Sequence, residues 1–170
     1  MCAEKFSKEE KELLLNMGVD PQNCSGYQIL CLPENFENGS KKNLYDADYT
    51  SDLSKILKQN GIKCANSYDL GIDSKTYERK CCDIHLGLIW VQDNLVVPIL
   101  ATAIYDWLIS DWLKEKVKDK ISEKEKVKKY AFQEKTIHVY IRFCKGKKIE
   151  YECDVKTLKE RLEEDSKNLE

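Results

Sequence analysis

The chain has 170 residues, and its 28 Lys and Arg against 30 Asp and Glu give a formal net charge of −2 at pH 7. This length fits one domain, and a hydrophobic content of 42% excludes the collagen-like and disordered classes. The near-neutral total gives no overall attraction to nucleic acid or to an anionic membrane, and only two His and seven Gly leave little material for metal sites or phosphate-binding loops.

The first half of the chain contains four predicted elements and one long loop. Ser7 followed by Glu10 has the spacing of a capping box and predicts a short helix in an N-terminal extension, residues 1–25. The compact apolar run at 27–32 is typical of a buried strand, and the polar stretch 34–49 predicts an exposed loop. Residues 51–60 predict a helix that stops at Asn60 and Gly61, before a strand at 62–65.

The second half begins with a strand predicted at 83–91, where alternation of apolar and polar residues gives way to apolar residues on both sides. That pattern is typical of a central strand covered on both faces. The apolar run 95–113 contains Asp106 and Asp111, which are costly in hydrocarbon, so it predicts a long amphipathic helix and no membrane span. Strands at 136–143 and 149–153 around a turn at 145–147 predict a β-hairpin, and Asp154 is placed to cap a final helix.

These elements predict a single α/β domain over residues 26–170. We expect a mixed β-sheet, with the 83–91 strand central, covered by helices at 51–60, 95–113 and 155–169. A C-terminal β-hairpin followed by a helix completes the predicted fold.

The charges are concentrated in one basic segment. Residues 113–149 hold thirteen Lys and Arg against five acidic residues, and we interpret 114–135 as a solvated helical extension or connector. Its cations could attract the phosphates of nucleic acid, although the interspersed acids weaken that field and favour a solvated face. The basic patch of this alternative comprises Lys114, Lys116, Lys124, Lys128 and Lys129.

The cysteines and histidines offer weak candidates for chemistry. Cys81, Cys82 and His85, with Cys64, form the densest cluster of potential zinc ligands, but adjacent residues of a strand point to opposite faces and could not easily bind one ion. Neither His85 nor His138 lies in a catalytic motif. We therefore expect no metal, no cofactor and no catalytic residue.

The eight cysteines also bear on the compartment. They would predict a disulfide framework only in a secreted chain with a leader. Residues 1–18 form a charged amphipathic stretch rather than a positively charged start followed by an apolar run. We therefore expect a cytoplasmic protein in which buried, reduced cysteines act as packing residues.

The order of motifs after residue 83 resembles a known family. The chain reads Asp-Ile-His-Leu-Gly-Leu-Ile-Trp-Val at 83–91, then a polar turn, an apolar helix ending Tyr-Asp-Trp-Leu at 105–108, a basic stretch and Ile-Glu-Tyr-Glu-Cys-Asp-Val at 149–155. Over about residues 83–165 this resembles the effector-associated constant component domains of bacterial conflict systems. The resemblance implies a non-catalytic α/β adaptor that accompanies effectors such as proteases and NLR-like ATPases.

The expected function is therefore an adaptor or regulatory module of a prokaryotic defence or signalling system. Its partner would be an effector or regulator protein, and a homo-oligomer remains open. Because Trp exposed on a helix is a common interface anchor, the expected contact lies on the long helix or the acidic final helix. The expected contact residues are Trp107, Trp112, Leu158, Leu162 and Glu163.

A second hypothesis comes from the order of elements in the first half. Strand, long loop, helix and strand also begin TIR-like and flavodoxin-like nucleotide-binding domains, whose ligands bind at the carboxyl ends of parallel strands. The predicted C-terminal hairpin argues against this plan, and we find no convincing catalytic glutamate. The residues that would line such a crevice are Asn35, Asn38, Gln92, Asp93 and Asn94.

Overall fold

The computed structural model describes residues 6–79, 83–118 and 135–168, with side chains described for all of these except 111–118. The helices are α1 (Lys8–Asn16), α2 (Pro21–Cys24), α3 (Thr50–Gln59), α4 (Val97–Lys118) and α5 (Val155–Lys167), with a 3-10 turn at Asn94–Val96. The strands are β1 (Ile29–Leu32), β2 (Tyr45–Ala47), β3 (Cys64–Ala65), β4 (Lys75–Tyr77), β5 (Ile84–Val91), β6 (Ile137–Arg142) and β7 (Lys148–Cys153).

A mixed five-stranded sheet organises the fold in the order β3-β1-β5-β6-β7. The central strand β5 is antiparallel to β1 and parallel to β6, whereas β7 is antiparallel to β6. Strands β2 and β4 form a separate parallel pair. The structure thus confirms the predicted α/β class, the central position of the 83–91 strand and the C-terminal hairpin followed by a helix.

Local signals set several helix ends as the sequence predicts. Ser7 Oγ accepts a hydrogen bond from Glu10 N at 3.1 Å, while the Glu10 carboxylate accepts one from Ser7 N at 2.8 Å, so the capping box is complete. Asp154 Oδ1 accepts a hydrogen bond from Thr157 N at 2.7 Å and caps α5. Gly61, after α3, has a φ of +80°, the left-handed conformation that ends many helices.

Other boundaries differ from the prediction. The loop predicted at 34–49 contains β2, and the strand predicted at 62–65 is reduced to two residues. The long helix begins at Val97, after a 3-10 turn in which Asp93 Oδ1 accepts a hydrogen bond from Leu95 N at 3.1 Å. Across the described ranges, no helix combines the length and the apolar character needed to cross a bilayer.

Helices α3, α4 and α5 cover one face of the sheet and enclose the first core cluster. Each helix contributes the residues of one apolar stripe, and burial of such side chains is the main stabilising term of the fold. The buried helical residues include Leu53, Leu57, Leu100, Ala103, Ile104, Trp107, Val155, Leu158 and Leu162.

The second face is covered by α1, α2 and the loop after β1. This cover forms the second core cluster, in which Trp90 of β5 packs against Phe6 and Phe36 with ring centroids 5.9 and 5.7 Å apart. The N-terminal residues predicted as an extension thus pack against the central strand. The other buried members include Leu14, Met17, Val19, Cys24, Leu30, Leu32 and Leu88.

A bulge in β5 decides which side chains reach the second face. The pairing of β5 with β6 slips between His85 and Gly87, where Gly87 has a φ of +81°. Simple alternation would put Leu88 on the same face as Leu86. Because of the extra residue, Leu86 lies in the first core cluster and Leu88 in the second.

Candidate functional site

The residues predicted to contact a partner do not form an exposed surface. Trp107 is 6% exposed, Leu158 1% and Leu162 0%, and all three lie in the first core cluster. Because such side chains cannot reach a partner while their helices stay packed, the prediction is wrong for these three residues. Glu163 is half-buried, with Oε1 3.7 Å from Lys159 Nζ. The side chain of Trp112 lies outside the described residues.

The predicted nucleotide crevice is not formed either. Such a crevice requires the carboxyl ends of two parallel strands to meet at one edge of the sheet. Here β1 is antiparallel to β5, so the loop after β1 and the turn after β5 lie at opposite ends of this strand pair. Asn35 and Asn38 therefore lie apart from Gln92, Asp93 and Asn94.

Several of these polar side chains hold the fold together instead. Asn35 Oδ1 accepts a hydrogen bond from Tyr45 N at 3.0 Å, which fixes the loop after β1. Gln92 is buried, and its Nε2 donates to the Cys24 carbonyl at 2.8 Å. Asn94 Oδ1 accepts from the backbone N of Cys144 at 2.9 Å and joins the turn after β5 to the hairpin.

The structure describes only some of the residues predicted to bind zinc or nucleic acid. Cys64 Sγ donates to the Ser54 carbonyl at 3.3 Å inside the first core cluster, away from the face that carries His85. Within residues 6–79, 83–118 and 135–168, no group of three or more His, Cys, Asp or Glu is arranged to hold a metal ion. The remaining members of the two predicted sites lie outside the described side chains. They are Cys81 and Cys82 of the zinc cluster, and Lys114, Lys116, Lys124, Lys128 and Lys129 of the basic patch.

The structure brings together a polar surface that the sequence analysis missed. It lies on the second face of β5, β6 and β7, next to the second core cluster. We name it the histidine face, and it comprises Asp83, His85, His138, Tyr140 and Glu152. In β6 the apolar residues alternate into the first core cluster, which leaves His138 and Tyr140 on the other side. The parallel register places His85 opposite His138.

The two imidazole rings stack on each other. Their centroids are 4.4 Å apart and their planes differ by 6°. His138 Nε2 lies 2.9 Å from Asp83 Oδ2, and His138 Nδ1 lies 3.8 Å from Glu152 Oε1. A carboxylate thus faces each ring nitrogen of His138 and orients the stacked pair. The Asp83 and Glu152 side chains are 42% and 61% exposed, so solvent and partners can reach these carboxylates.

Electrostatics favours a neutral His85. Burial, the positive charge of Arg79 and the neighbouring His138 lower the pKa of His85, although Glu34 and Asp48 act in the opposite direction. The lowered pKa makes His85 harder to protonate than a free histidine.

An ion pair forms the wall beside the stack. Arg79 Nη2 lies 2.9 Å from Glu34 Oε1 and 2.8 Å from Glu34 Oε2. The Arg79 guanidinium also lies 5.1 Å from the centre of the Tyr77 ring, which contacts Tyr45 with centroids 5.6 Å apart. These contacts connect the small β2–β4 sheet to the loop after β1.

A cleft of about 270 Å³ lies between this wall and β6. Its charges include Glu34, which Arg79 neutralises, and Glu37, which contacts Lys148 Nζ. Burial and the neighbouring Glu150 raise the pKa of the Tyr140 hydroxyl, which keeps it protonated. The other lining residues are Asn35, Asn38, Tyr45 and Leu88.

The exposed charge of this region is acidic. Glu34 and Glu37 are each paired with a cation, whereas Glu150 and Glu152 are exposed on β7. Glu152 shares His138 with Asp83. Carboxylates that keep solvent contact attract a cationic partner and improve its rate of association. The arrangement is thus suited to binding a basic segment.

Comparison with known proteins gives no relative from which a role could be transferred. No protein-family model, no curated protein and no solved structure matches this chain.

Proposed function

We propose that this chain is a non-catalytic adaptor or regulatory module that binds a basic segment of a partner protein through the histidine face. The observation that carries the proposal is the exposed carboxylate pair of Asp83 and Glu152, which lie 2.9 and 3.8 Å from the two ring nitrogens of His138. Asp83 is oriented by His138, and a side chain that is already oriented loses less conformational freedom on binding.

The composition of the surface supports a protein partner. Histidine and tyrosine rings lie beside carboxylates on three adjacent strands, so the surface offers flat aromatic area together with negative charge. Lys and Arg side chains match both features, since they form ion pairs with carboxylates and stack on aromatic rings. We therefore expect the partner to present Lys or Arg rather than an acidic or apolar surface.

The proposed setting is a prokaryotic defence or signalling system with an effector or regulator as partner. This part of the proposal rests on the sequence resemblance over about residues 83–165. An adaptor is defined by what it binds, so the identity of a captured partner tests this setting. The mode of binding is tested by variants of the histidine face.

The test is affinity purification with a charge-reversal variant and a matched control. Glu152→Lys reverses one exposed charge of the histidine face, whereas Glu160→Lys makes the same change on the exposed side of α5, across the sheet. We expect one captured protein to bind the wild type and Glu160→Lys with equal affinity. When this partner is purified and mixed with each variant, Glu152→Lys should bind it about tenfold more weakly.

Two results would contradict the proposal. Equal binding by both variants would remove the histidine face as the contact. Turnover of NAD or another nucleotide by the purified wild type, lost on His138→Ala, would make the same residues catalytic. Far-UV circular dichroism of each variant distinguishes lost contacts from lost folding.

A further inference from the structure

The outer edge of β7 has backbone groups that no described strand pairs. The sheet ends at β7 in the described part of the chain. Phe143 N donates to the Lys147 carbonyl at 3.2 Å, and bonded and non-bonded pairs alternate along an antiparallel ladder. The odd-numbered residues of β7 therefore bond to β6. The N–H and C=O groups of Lys148, Glu150 and Glu152 point away from the sheet.

We propose that β7 pairs antiparallel with β7 of a second copy of this chain, across a two-fold axis. The result is a continuous ten-stranded sheet with the same surface contributed by each subunit. This contact uses the edge of the sheet rather than the histidine face. It therefore goes beyond the adaptor function and does not depend on it.

The charges of β7 select one register for this pairing. When Lys148 of one copy is opposite Glu150 of the other, opposite charges meet twice, once on each side of the axis. A slip in one direction would place Glu150 opposite Glu150, and a slip in the other would place Lys148 opposite Lys148. The slip that brings Glu150 opposite Glu150 also sets Lys148 opposite Glu152 on each side of the axis. Like charges directly opposite each other destabilise a strand pair, so the Lys148–Glu150 register is the one of these three with favourable charge pairs and no like-charge pair.

The apolar side of the strand fits the same register. Ile149 then lies opposite Ile149 of the second copy at the axis. Ile149 is partly buried and packs against the first core cluster, and facing β-branched residues stabilise neighbouring strands. The Lys148 side chain contacts Glu37 but is 41% exposed, so it can reach across the edge as well.

The first test is sedimentation of the full chain from about 10 µM to about 1 mM, since a small strand-edge contact gives a weak dimer. We expect a reversible monomer–dimer equilibrium. Glu150→Lys and Lys148→Glu should each weaken self-association about tenfold or more, because each brings like charges together twice. Mixed in equal amounts, the two variants should form a heterodimer, since every Lys of one then faces a Glu of the other.

A proline variant tests the backbone contact itself. Proline is tolerated in an edge strand where its N–H would point outward, so Glu150→Pro leaves the bonds between β6 and β7 in place. We expect Glu150→Pro to stay monomeric and Glu150→Ala, which keeps the N–H, to remain a weaker dimer. A wild type that is monomeric throughout, a dimer that survives Glu150→Pro, or no heterodimer in the mixture would overturn the proposal. If Glu150→Pro fails to fold, the mixture of charge variants decides.

Discussion

Glu10→Gln isolates one ion pair beneath the N-terminal helix. Arg142 is 5% exposed, and its guanidinium lies 4.6 Å from the centre of the Trp90 ring and 5.7 Å from that of Phe6. Glu10 uses its two oxygens separately: Oε2 lies 2.8 Å from Arg142 Nε, and Oε1 accepts from Ser7 N. Because Gln also completes a capping box, this change keeps the cap and removes the charge opposite Arg142.

The structure sets the expected magnitude. The ion pair of Arg142 Nε with Glu10 lacks hydrogen-bond geometry, and no other described group forms a hydrogen bond with the guanidinium, so the Glu10 charge is the main compensation for this buried cation. Burial lowers the pKa of Arg142, and the Glu10 charge opposes that shift. Losing one member of a buried ion pair costs about 3–5 kcal/mol, and since the Glu10 side chain is 23% exposed, we expect a loss of about 2 kcal/mol in the free energy of unfolding.

Urea denaturation followed by tryptophan fluorescence measures this loss. Glu9→Gln, on the exposed side of the same helical turn, is the control and should cost only a few tenths of a kcal/mol. In an Arg142→Met background, Glu10→Gln should cost less than about 0.5 kcal/mol, because no buried charge remains to be compensated. A single variant Glu10→Gln as stable as the wild type would refute the role given to this ion pair.

Three further predictions concern glycine, pH and thiols. Gly87→Ala should lower the free energy of unfolding by more than about 2 kcal/mol, because its φ is +81° and a Cβ there would lie 3.1 Å from a side-chain oxygen of α3. The control Gly61→Ala, with a φ of +80° in open space, should cost about 1 kcal/mol. Equal losses of the two variants in urea denaturation would contradict the close approach at Gly87. The pKa of His85 is lowered by burial and neighbouring positive charge, so on acidification the unfolded chain binds this proton first and stability should fall as pH drops through about 6.5. Thermal melts of His85→Gln should show a shallower fall with pH. An unchanged pH dependence would argue against a role for His85. Burial raises the pKa of the Cys31 thiol, which makes this thiol slow to react with alkylating reagents. Brief alkylation followed by mass spectrometry should therefore label half-buried Cys144 well before Cys31, and the reverse order would be inconsistent with the fold.

Features fixed by a few neighbouring residues could be predicted from the sequence. The capping box at Ser7, the cap at Asp154 and the stop at Gly61 each depend on one helical turn. The hairpin could be predicted because its two strands alternate strongly around a short turn. Periodicity places Trp107 on the core-facing stripe of its helix, where the structure buries it, so the preference of Trp for interfaces was the wrong guide to its position.

Features that depend on how distant strands pair could not be predicted. Nothing local to β1 indicates that it runs antiparallel to β5, and this direction separates the two halves of the expected crevice. The bulge at Gly87 moves the following residues to the other face, although a glycine inside a strand is a known signal of a bulge. The stacking of His85 on His138 requires the register of β5 with β6, so each histidine alone gave no indication of the site.

The mixed pairing of β5 has a consequence during synthesis of the chain. Its parallel neighbour β6 begins at Ile137, whereas β5 ends at Val91. At a synthesis rate of about 5–20 residues per second, the apolar central strand waits about 2–9 s before synthesis of β6 begins. Of the two strands that flank β5 in the described sheet, only β1 is present during that interval, and the other edge of β5 is available to chaperones or to another nascent chain. The time spent making the segment between them therefore sets how long this protein is vulnerable to misassembly.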